Sequence, residues 1–364
     1  MAKKVLSSIP QNERKKESAK PFVSVVAPAF NEAAIIEQNL TKICTYMETL
    51  ASQYQWELIV VNDGSSDDTG EIADAFAAGK DNVTILHHFV NLNVGQALRY
   101  AFNNCRGDYI VVMDIDLSYS PEHIGKLLDT IIETRAKVVL ASPYMKGGQI
   151  SKIPWLRKTL SIYANKFLSY TARGGFSTLT GMVRAYDTIF VQSLNLKSMD
   201  ISISAEIIYK AMVMGARIKE IPAHLDWSSQ KAKDYKRKSS IKIKRSIIAY
   251  LLSGFIFRPF IFFILPGFLL TILAFFSFSW VFIHTVEQFN ELPASFGSLG
   301  IRVSAGVAAA YQFAPHTFII GGISLILAIQ LISLGFLALQ NKKYFEELFH
   351  LGTNIYKSKG DKFV

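Results

Sequence analysis

Asp114 and Asp116 close the run Tyr109-Ile110-Val111-Val112-Met113-Asp114-Ile115-Asp116, where an apolar β-like segment gives way to two carboxylates one residue apart. Side chains of a continuing strand alternate faces, so residues i and i+2 point the same way. The spacing therefore predicts both acids on one side of a strand's carboxyl end. Such a pair suits a hard divalent cation and leaves coordination positions for phosphate oxygens. Asp-x-Asp is also ordinary turn chemistry, so the pair gains its meaning from its company.

Three more polar clusters follow apolar runs. Pro28-Ala29-Phe30-Asn31-Glu32 offers an aromatic face for a planar base and a carboxylate for hydrogen bonds to base or ribose. It reads equally as a helix start, with Asn31 as N-cap and Glu32 favouring the dipole. Asn62-Asp63-Gly64-Ser65-Ser66-Asp67-Asp68-Thr69 puts Asp63 within reach of a base or ribose. There Gly64 permits a tight turn and the Ser/Asp run caps the next helix. Asn91-Leu92-Asn93-Val94-Gly95-Gln96-Ala97-Leu98 is the last cluster.

These clusters need elements to hold them. Strands are expected at Val23–Ala27, Leu58–Val61, Val83–Leu86, Tyr109–Met113 and Val138–Ala141. Helices are expected at Asn31–Leu50, Asp67–Ala78, Val94–Asn104 and Pro121–Thr134. Alternation of this kind implies an α/β fold with a mostly parallel sheet and helices on both faces. In such sheets ligands bind beyond the carboxyl ends of the strands, where every cluster falls. Beyond them, Pro154–Thr171 reads as an amphipathic helix, Gly181–Tyr186 as a strand or turn, Ser204–Met214 as a helix and Arg217–Ile221 as a strand. This is the expected acceptor half of a two-substrate site. GxGxxG and Walker phosphate loops are absent.

Hydrophobic residues make up 50% of the 364, and the excess concentrates after residue 246. Ser253–His284 and Thr317–Gln340 each exceed the roughly 20 residues that cross a bilayer. Basic residues precede the first stretch and follow the second (Lys342, Lys343), while Thr285–His316 holds Arg302 against Glu287 and Glu291. The positive-inside bias makes this a transmembrane hairpin with both flanks cytoplasmic. Ser304–Phe313, small and apolar, is expected at the membrane interface. The net charge of +10 is no nucleic-acid signature, because Lys231–Arg245 carries eight basic residues against Asp234 beside the first span. That placement suits anionic lipid headgroups. Cys44 and Cys105 read as buried reduced thiols. The N-terminus has charge but no apolar core after it, so no cleaved signal peptide is expected. The expected organisation is a disordered basic segment at 1–20, a catalytic domain at 21–230, a basic juxtamembrane segment at 231–252, the hairpin at 253–340 and a cytoplasmic tail at 341–364.

In order and spacing, the four clusters resemble the GT-A glycosyltransferases of family 2, and among them the dolichyl-phosphate mannose synthases and bacterial polyprenyl-phosphate glycosyltransferases. The resemblance runs from about Val23 to Arg258. It implies that Pro28, Phe30, Glu32, Val61 and Asp63 bind base and ribose of a UDP- or GDP-linked sugar. It further implies that Asp114 and Asp116 bind Mg²⁺ or Mn²⁺ and through it the diphosphate, with Ser118 standing where a Gln ligand is common. Arg157 and Ser161 match residues that hold the lipid phosphate of a polyprenyl acceptor. Gly181-Met182-Val183-Arg184-Ala185-Tyr186 matches the loop flanking the sugar, Glu206 a carboxylate near it, and Arg237 and Lys242 basic residues closing over the diphosphate. Taken alone, Arg184 and Glu206 read as structural ion-pair partners, and His224 as a packed histidine.

Two stretches depart from the family pattern. Pro143 stands where an Arg is common, and Ser177-Thr178-Leu179-Thr180-Gly181 replaces Asp-Pro-Thr-Ser-Gly, so sugar identity stays open. The Gln-x-x-Arg-Trp motif of processive synthases is absent, which argues for single transfer. The implied reaction is inverting transfer of one sugar to polyprenyl phosphate at the cytoplasmic membrane face. A processive synthase using a hydroxyl acceptor, a transporter and a non-catalytic membrane scaffold are the rival readings. Membrane lipids are expected partners, nucleic acid is not, and homo-oligomerisation is left open.

Overall fold

The computed structural model describes residues 20–152, 159, 162, 166, 175–226, 255, 258–293 and 297–360. They fall into two compact units, one that includes residues 20–226 and one from Arg258 to Phe349.

The first unit alternates strand and helix: β1 (Phe22–Ala29), α1 (Ile36–Thr49), β2 (Gln55–Asn62), α2 (Thr69–Ala77), β3 (Val83–His87), α3 (Val94–Asn104), β4 (Tyr109–Val112), α4 (Glu122–Thr134) and β5 (Val138–Ser142). Then follow β6 (Gln149–Ser151), β7 (Arg184–Asp187), α5 (Thr188–Ser193), α6 (Ile203–Val213), β8 (Ile218–Pro222) and β9 (His224–Asp226). Seven strands form one sheet in the order β3-β2-β1-β4-β7-β5-β8, and β6 pairs with β9 in a second sheet. Within the large sheet β7 alone runs antiparallel to its neighbours. The anticipated mostly parallel α/β sheet is therefore what forms.

Side-chain alternation explains the two cores. Along β1, Val23, Val25 and Ala27 face one layer with Ile36, Leu40, Ile43 and Met47 of α1 and Ile124, Leu127, Leu128 and Ile131 of α4. Val26 faces the other, with Ala97, Leu98 and Ala101 of α3 and Ile203, Ile207 and Ile208 of α6. Each of these larger apolar side chains contributes about 1.5–3 kcal/mol on leaving water. With both faces covered, β5 is buried at every position and reads as a continuous apolar run.

Cys105 lies in the second core, where burial pushes its thiol up to about 12 against a weaker opposing hydrogen bond from Ser24. Its thiolate fraction near neutral pH is then about 1,000-fold below that of a free cysteine. Native protein should leave Cys105 unlabelled by maleimide on a timescale that labels it fully in denaturant, as peptide mass spectrometry can read.

The second unit contains α7 (Ile261–Glu291), α8 (Leu299–Phe313) and the start of α9 (Pro315–Gly360). A Cβ on Gly335 would meet Ile264, one on Gly267 would meet Ile332, and one on Gly321 would meet Ser277. Rising numbers on α9 thus face falling numbers on α7, so the two pack antiparallel. Gly306 of α8 lies against Thr285 of α7, again antiparallel. Arg302 donates to the carbonyls of Phe289 and Leu292 and caps the end of α7. Ser304–Phe313, expected at an interface, is thus part of a helix packed on α7. Helicity breaks at Ala314 (φ −146°), because the ring of Pro315 disfavours a helical residue before it.

Two helical stretches, Ile261–Glu291 and Pro315–Gly352, are long and apolar enough to cross a membrane, and 17% of the most apolar window of each is buried. Helices apolar all round yet mostly exposed fit lipid as solvent, not a water-facing surface. Pro266 sits inside α7, as membrane helices tolerate. α9 contains the whole of the expected span at 317–340, while α7 overlaps the expected span at 253–284 from Ile261 on, with residues 253, 254, 256 and 257 outside the described residues.

Candidate active site

The strand order sets the site. β1 is flanked by β2 on one side and β4 on the other, so the chain reverses its direction of winding there. At such a switch point the loops from adjacent strand ends diverge and open a crevice. The end of β1 and the loop after it carry Pro28 to Glu32, and the segment after β4 carries Asp114 to Ser118.

Asp114 and Asp116 reach this edge by a different route from strand alternation. β4 ends at Val112, Met113 still bonds Val26, and the chain then turns: Leu117 N–H donates to Asp114 O at 3.0 Å with Leu117 at φ +48°. The i, i+2 strand argument therefore does not apply, because the strand has stopped before the first acid. What fixes Asp116 is an Asx turn, with Oδ1 accepting Ser118 N–H at 3.0 Å and Ser118 Oγ–H at 2.6 Å. Asp116 and Ser118 are buried, and Asp114 is half-buried. Asn39 of α1 donates to Ile115 O at 2.9 Å and holds the turn from beneath.

The loops after β1 and β2 are stapled together. Asn31 N–H donates to Ser65 Oγ, and Asn31 Oδ1 accepts from Ser66 N–H at 2.8 Å. Glu32 N–H donates to Thr69 Oγ1, and Ala33 N–H to Asp67. Burial raises the Asp67 carboxyl, but bonds from Thr69 and Ala33 outweigh it and hold the group below its ordinary range. Asn31 is thus no helix cap: it sits at φ +55°, and α1 starts later with Ile35 in the capping position. Phe30 is 43% exposed at the mouth, while Glu32 is buried. The side chain of Val61 is packed in the second core.

Asp63 is held by three donors. Oδ1 accepts from His88 Nδ1 at 2.7 Å and from Leu92 N–H at 3.0 Å, and Oδ2 accepts from Asn91 Nδ2 at 3.1 Å. His88 stacks on Tyr100 of α3. His88 went unread in the sequence, since it lies 25 residues from its partner with no motif joining them.

The sugar-side residues are braces. Arg184 is fully buried and donates to Ser204 O at 2.7 Å and Leu179 O at 2.8 Å. Burial pulls its guanidinium below the ordinary value. It ties the 177–181 stretch to the start of α6, and this buried bracing is what the structure gives for a residue the sequence reading expects at the nucleotide sugar. Glu206 accepts from the backbone N–H groups of Lys197 and Ser198 and pairs with Lys210 at 2.7 Å. Burial raises its carboxyl, but Lys210 and Ser198 win and hold it below the ordinary value. Its oxygens are committed to a loop. Glu220, which the sequence did not single out, accepts from Ser177 N–H and Thr178 N–H at 2.9 and 3.1 Å and anchors the stretch that departs from the family pattern. Pro143 is buried within the tight 142–148 turn, its carbonyl close against Gly148. Arg157, Ser161, Arg237 and Lys242 lie outside the described residues, as does the expected helix at 154–171 apart from residues 159, 162 and 166.

Among the described residues no group of three or more His, Cys, Asp or Glu forms a metal cage. Asp114, Asp116 and Ser118 offer oxygen donors only. That set fits Mg²⁺ or Mn²⁺ bound by one or two carboxylates and completed by phosphate oxygens and water.

A family model described as Glycosyl transferase family 2 matches residues 24–193. The polyprenol monophosphomannose synthase of Mycolicibacterium smegmatis is 30% identical over 205 residues, 54% of this chain and 75% of that protein. The dolichol-phosphate mannosyltransferase of Pyrococcus furiosus is 32% identical over 139 residues, 38% of each chain. Among solved structures, glucosyl-3-phosphoglycerate synthase from Mycobacterium tuberculosis, in complex with Mn²⁺ and UDP-glucose, superposes with a TM-score of 0.48 at 19% identity, covering 68% of this chain and 83% of that one. With three quarters of the mycobacterial synthase matched at that identity and the strand-end clusters in place, the chain belongs to glycosyl transferase family 2 and is a glycosyltransferase.

Proposed function

We propose that this glycosyltransferase moves one sugar, with inversion, from a nucleotide-diphosphate donor to polyprenyl phosphate at the cytoplasmic face of a membrane. One juxtaposition carries the reading. The neighbouring ends of β1, β2 and β4, which lead into Phe30, Asp63 and the Asp114–Asp116 pair, belong to a chain that also holds two long, exposed apolar helices. The names of the relatives support a polyprenyl phosphate acceptor.

The acceptor is a phosphate, already anionic near neutral pH, so attack on the anomeric carbon needs no strong general base. The difficulty is that two anions must meet. Asp114 and Asp116, with Ser118, would hold Mg²⁺ or Mn²⁺, which when bound neutralises charge on the leaving diphosphate. Asp116 is pre-set for this by the two Ser118 bonds, so little reorganisation is needed. Phe30 offers a face to the base. Asp63 takes three donors on its two oxygens and keeps acceptor capacity for a base or ribose N–H or O–H. Pro28, Glu32 and the Val61 backbone complete that wall. Arg157 and Ser161 would hold the attacking phosphate in line, and Arg237 and Lys242 would close over the diphosphate. Glu206 and Arg184 act through the loops they brace. One in-line displacement inverts the anomeric centre. The basic 231–252 segment and the 253–340 hairpin would keep the crevice at headgroup level, with both termini cytoplasmic.

The test is incubation of membranes containing the chain with labelled UDP- and GDP-sugars and polyprenyl phosphate. A single-sugar phospholipid of inverted configuration is the expected product. A polymer, or label on a lipid hydroxyl, would replace the reading with a processive or hydroxyl-directed synthase.

A further inference from the structure

One buried imidazole near the acid turn has no part in that mechanism. His123 opens α4, is 4% exposed, and has both ring nitrogens committed in opposite senses. Nδ1 lies 2.9 Å from Ser120 O, which only accepts, so Nδ1 carries the proton. Nε2 lies 3.1 Å from the backbone nitrogen of His224, which only donates, so Nε2 is bare. The ring is therefore neutral and bridges α4 to β9. A second stitch lies alongside, with Asp226 N–H donating to Ser118 O at 2.9 Å. β9 in turn pairs with β6 from Gln149↔His224 to Ser151↔Asp226, and Ser151 Oγ meets His224 Nε2 at 2.7 Å.

β6 and β9 each lie just before a stretch outside the described residues. Arg157 follows the end of β6 by six residues (157 − 151), and Arg237 follows the end of β9 by eleven (237 − 226). Resting on the proposed acceptor, we infer that His123 is a positioning residue: its neutral ring latches β9, and through it β6, to the Asp114–Ser118 turn. The latch fixes where the segments bearing Arg157 and Arg237 start relative to the two acids.

The latch has a pH sense. Burial holds His123 below its ordinary value of 6.5, only partly offset by the Ser120 carbonyl. Lys126 and His224 act in the same direction and Glu122 opposes, while Tyr119 presents its ring to the imidazole from the acid turn. A depressed value means that the ring is neutral and the latch whole above 6.5. Protonation as pH falls below that point sets an N–H against the His224 N–H and releases β9.

Full-length His123→Ala, His123→Gln and His123→Leu, in membranes, test this. Gln keeps a carbonyl acceptor in place of Nε2 but cannot titrate. Hydrogen exchange of the backbone amides at 223–226, which needs no substrate, should rise in Ala and Leu and stay near wild type in Gln. In wild type that protection should fall with pH below 6.5 beyond the intrinsic rate change, and in Gln it should not. kcat/KM for polyprenyl phosphate should drop roughly 10- to 100-fold in Ala, with calorimetric binding of UDP or GDP plus Mn²⁺ within about twofold of wild type. Gln should recover most of the loss at neutral pH and flatten the acid limb of the rate profile. Equal protection of the 223–226 amides in all four proteins overturns the latch, whatever the acceptor. Intact latch behaviour in a wild type that fails to glycosylate polyprenyl phosphate would instead overturn the acceptor. Should Ala and Leu fail to fold, the Gln acid limb and amide exchange decide alone, and a limb identical to wild type counts against the latch.

Discussion

Asp116→Ala should abolish sugar transfer while the protein stays folded. The charge that Asp116 contributes toward a bound cation supports the leaving diphosphate, an effect worth several kcal/mol in the transition state. That corresponds to a rate loss of about 1,000-fold or more. The structural cost is smaller. Ala strands two Ser118 donors that now end on Oδ1 at 3.0 and 2.6 Å, a penalty of about 1–3 kcal/mol. Asp116→Asn separates the two contributions, since its amide oxygen still accepts from Ser118 while the charge is gone. Both variants should lose transfer, and Asn alone should keep wild-type thermal stability. Labelled-sugar transfer across a Mn²⁺ titration, beside a melting curve, reads both. Near-normal turnover in Asp116→Ala would remove the acid pair from the chemistry.

The alternation of strands and helices was legible because each covered strand is an apolar run and each helix carries a one-sided stripe. Val94–Asn104 matches its predicted bounds, and Pro121–Thr134 differs by one residue. Legibility failed where side chains, not periodicity, set the backbone. Asn31 follows a strand and precedes an apolar stripe, so it reads as a cap. In the fold it is drawn to the β2 loop by Ser65 and Ser66, some 35 residues on. The acid pair was found for a reason that the backbone does not honour. β4 is only four residues long, and Ser118, not strand pleat, orients Asp116.

The braces were harder still. Glu220, Arg184 and Glu206 act on carbonyls and N–H groups 5 to 43 residues away, contacts that no local spacing announces. β6 and β9 have three residues each, too few for a period to show. β8 and β9 are separated by Ala223 alone, and this stretch leaves β5 for β6 as it passes Pro222. The acceptor side of the site therefore depends on long-range pairing, and the nucleotide side on loops that the sequence marks with Gly, Asp and Ser.

Gly64→Ala should disable the nucleotide side, and a second glycine supplies its control. Gly64 lies at φ +66° and Gly79 at φ +77°, so Ala at either meets a left-handed backbone that costs about 1–2 kcal/mol. Around Gly79 a Cβ would find nothing within 4 Å. At Gly64 it would lie 2.2 Å from the Val90 carbonyl carbon and 2.4 Å from Asn91 N, backbone atoms with no rotamer to yield. Relief to ordinary contact near 3.4 Å requires the 90–91 backbone to move by about 1.2 Å (3.4 − 2.2). That backbone presents Asn91 and Leu92 to Asp63, so the shift withdraws the donors that aim the carboxylate. A displacement of about 1 Å in a positioned group can cost about 100-fold. Nucleotide affinity by calorimetry should fall by that order in Gly64→Ala and stay within about twofold in Gly79→Ala, though both lose stability from the dihedral strain. Equal affinities in the two variants would mean that the close approach of the β2 and β3 loops does not aim Asp63, and that the base is held by other groups.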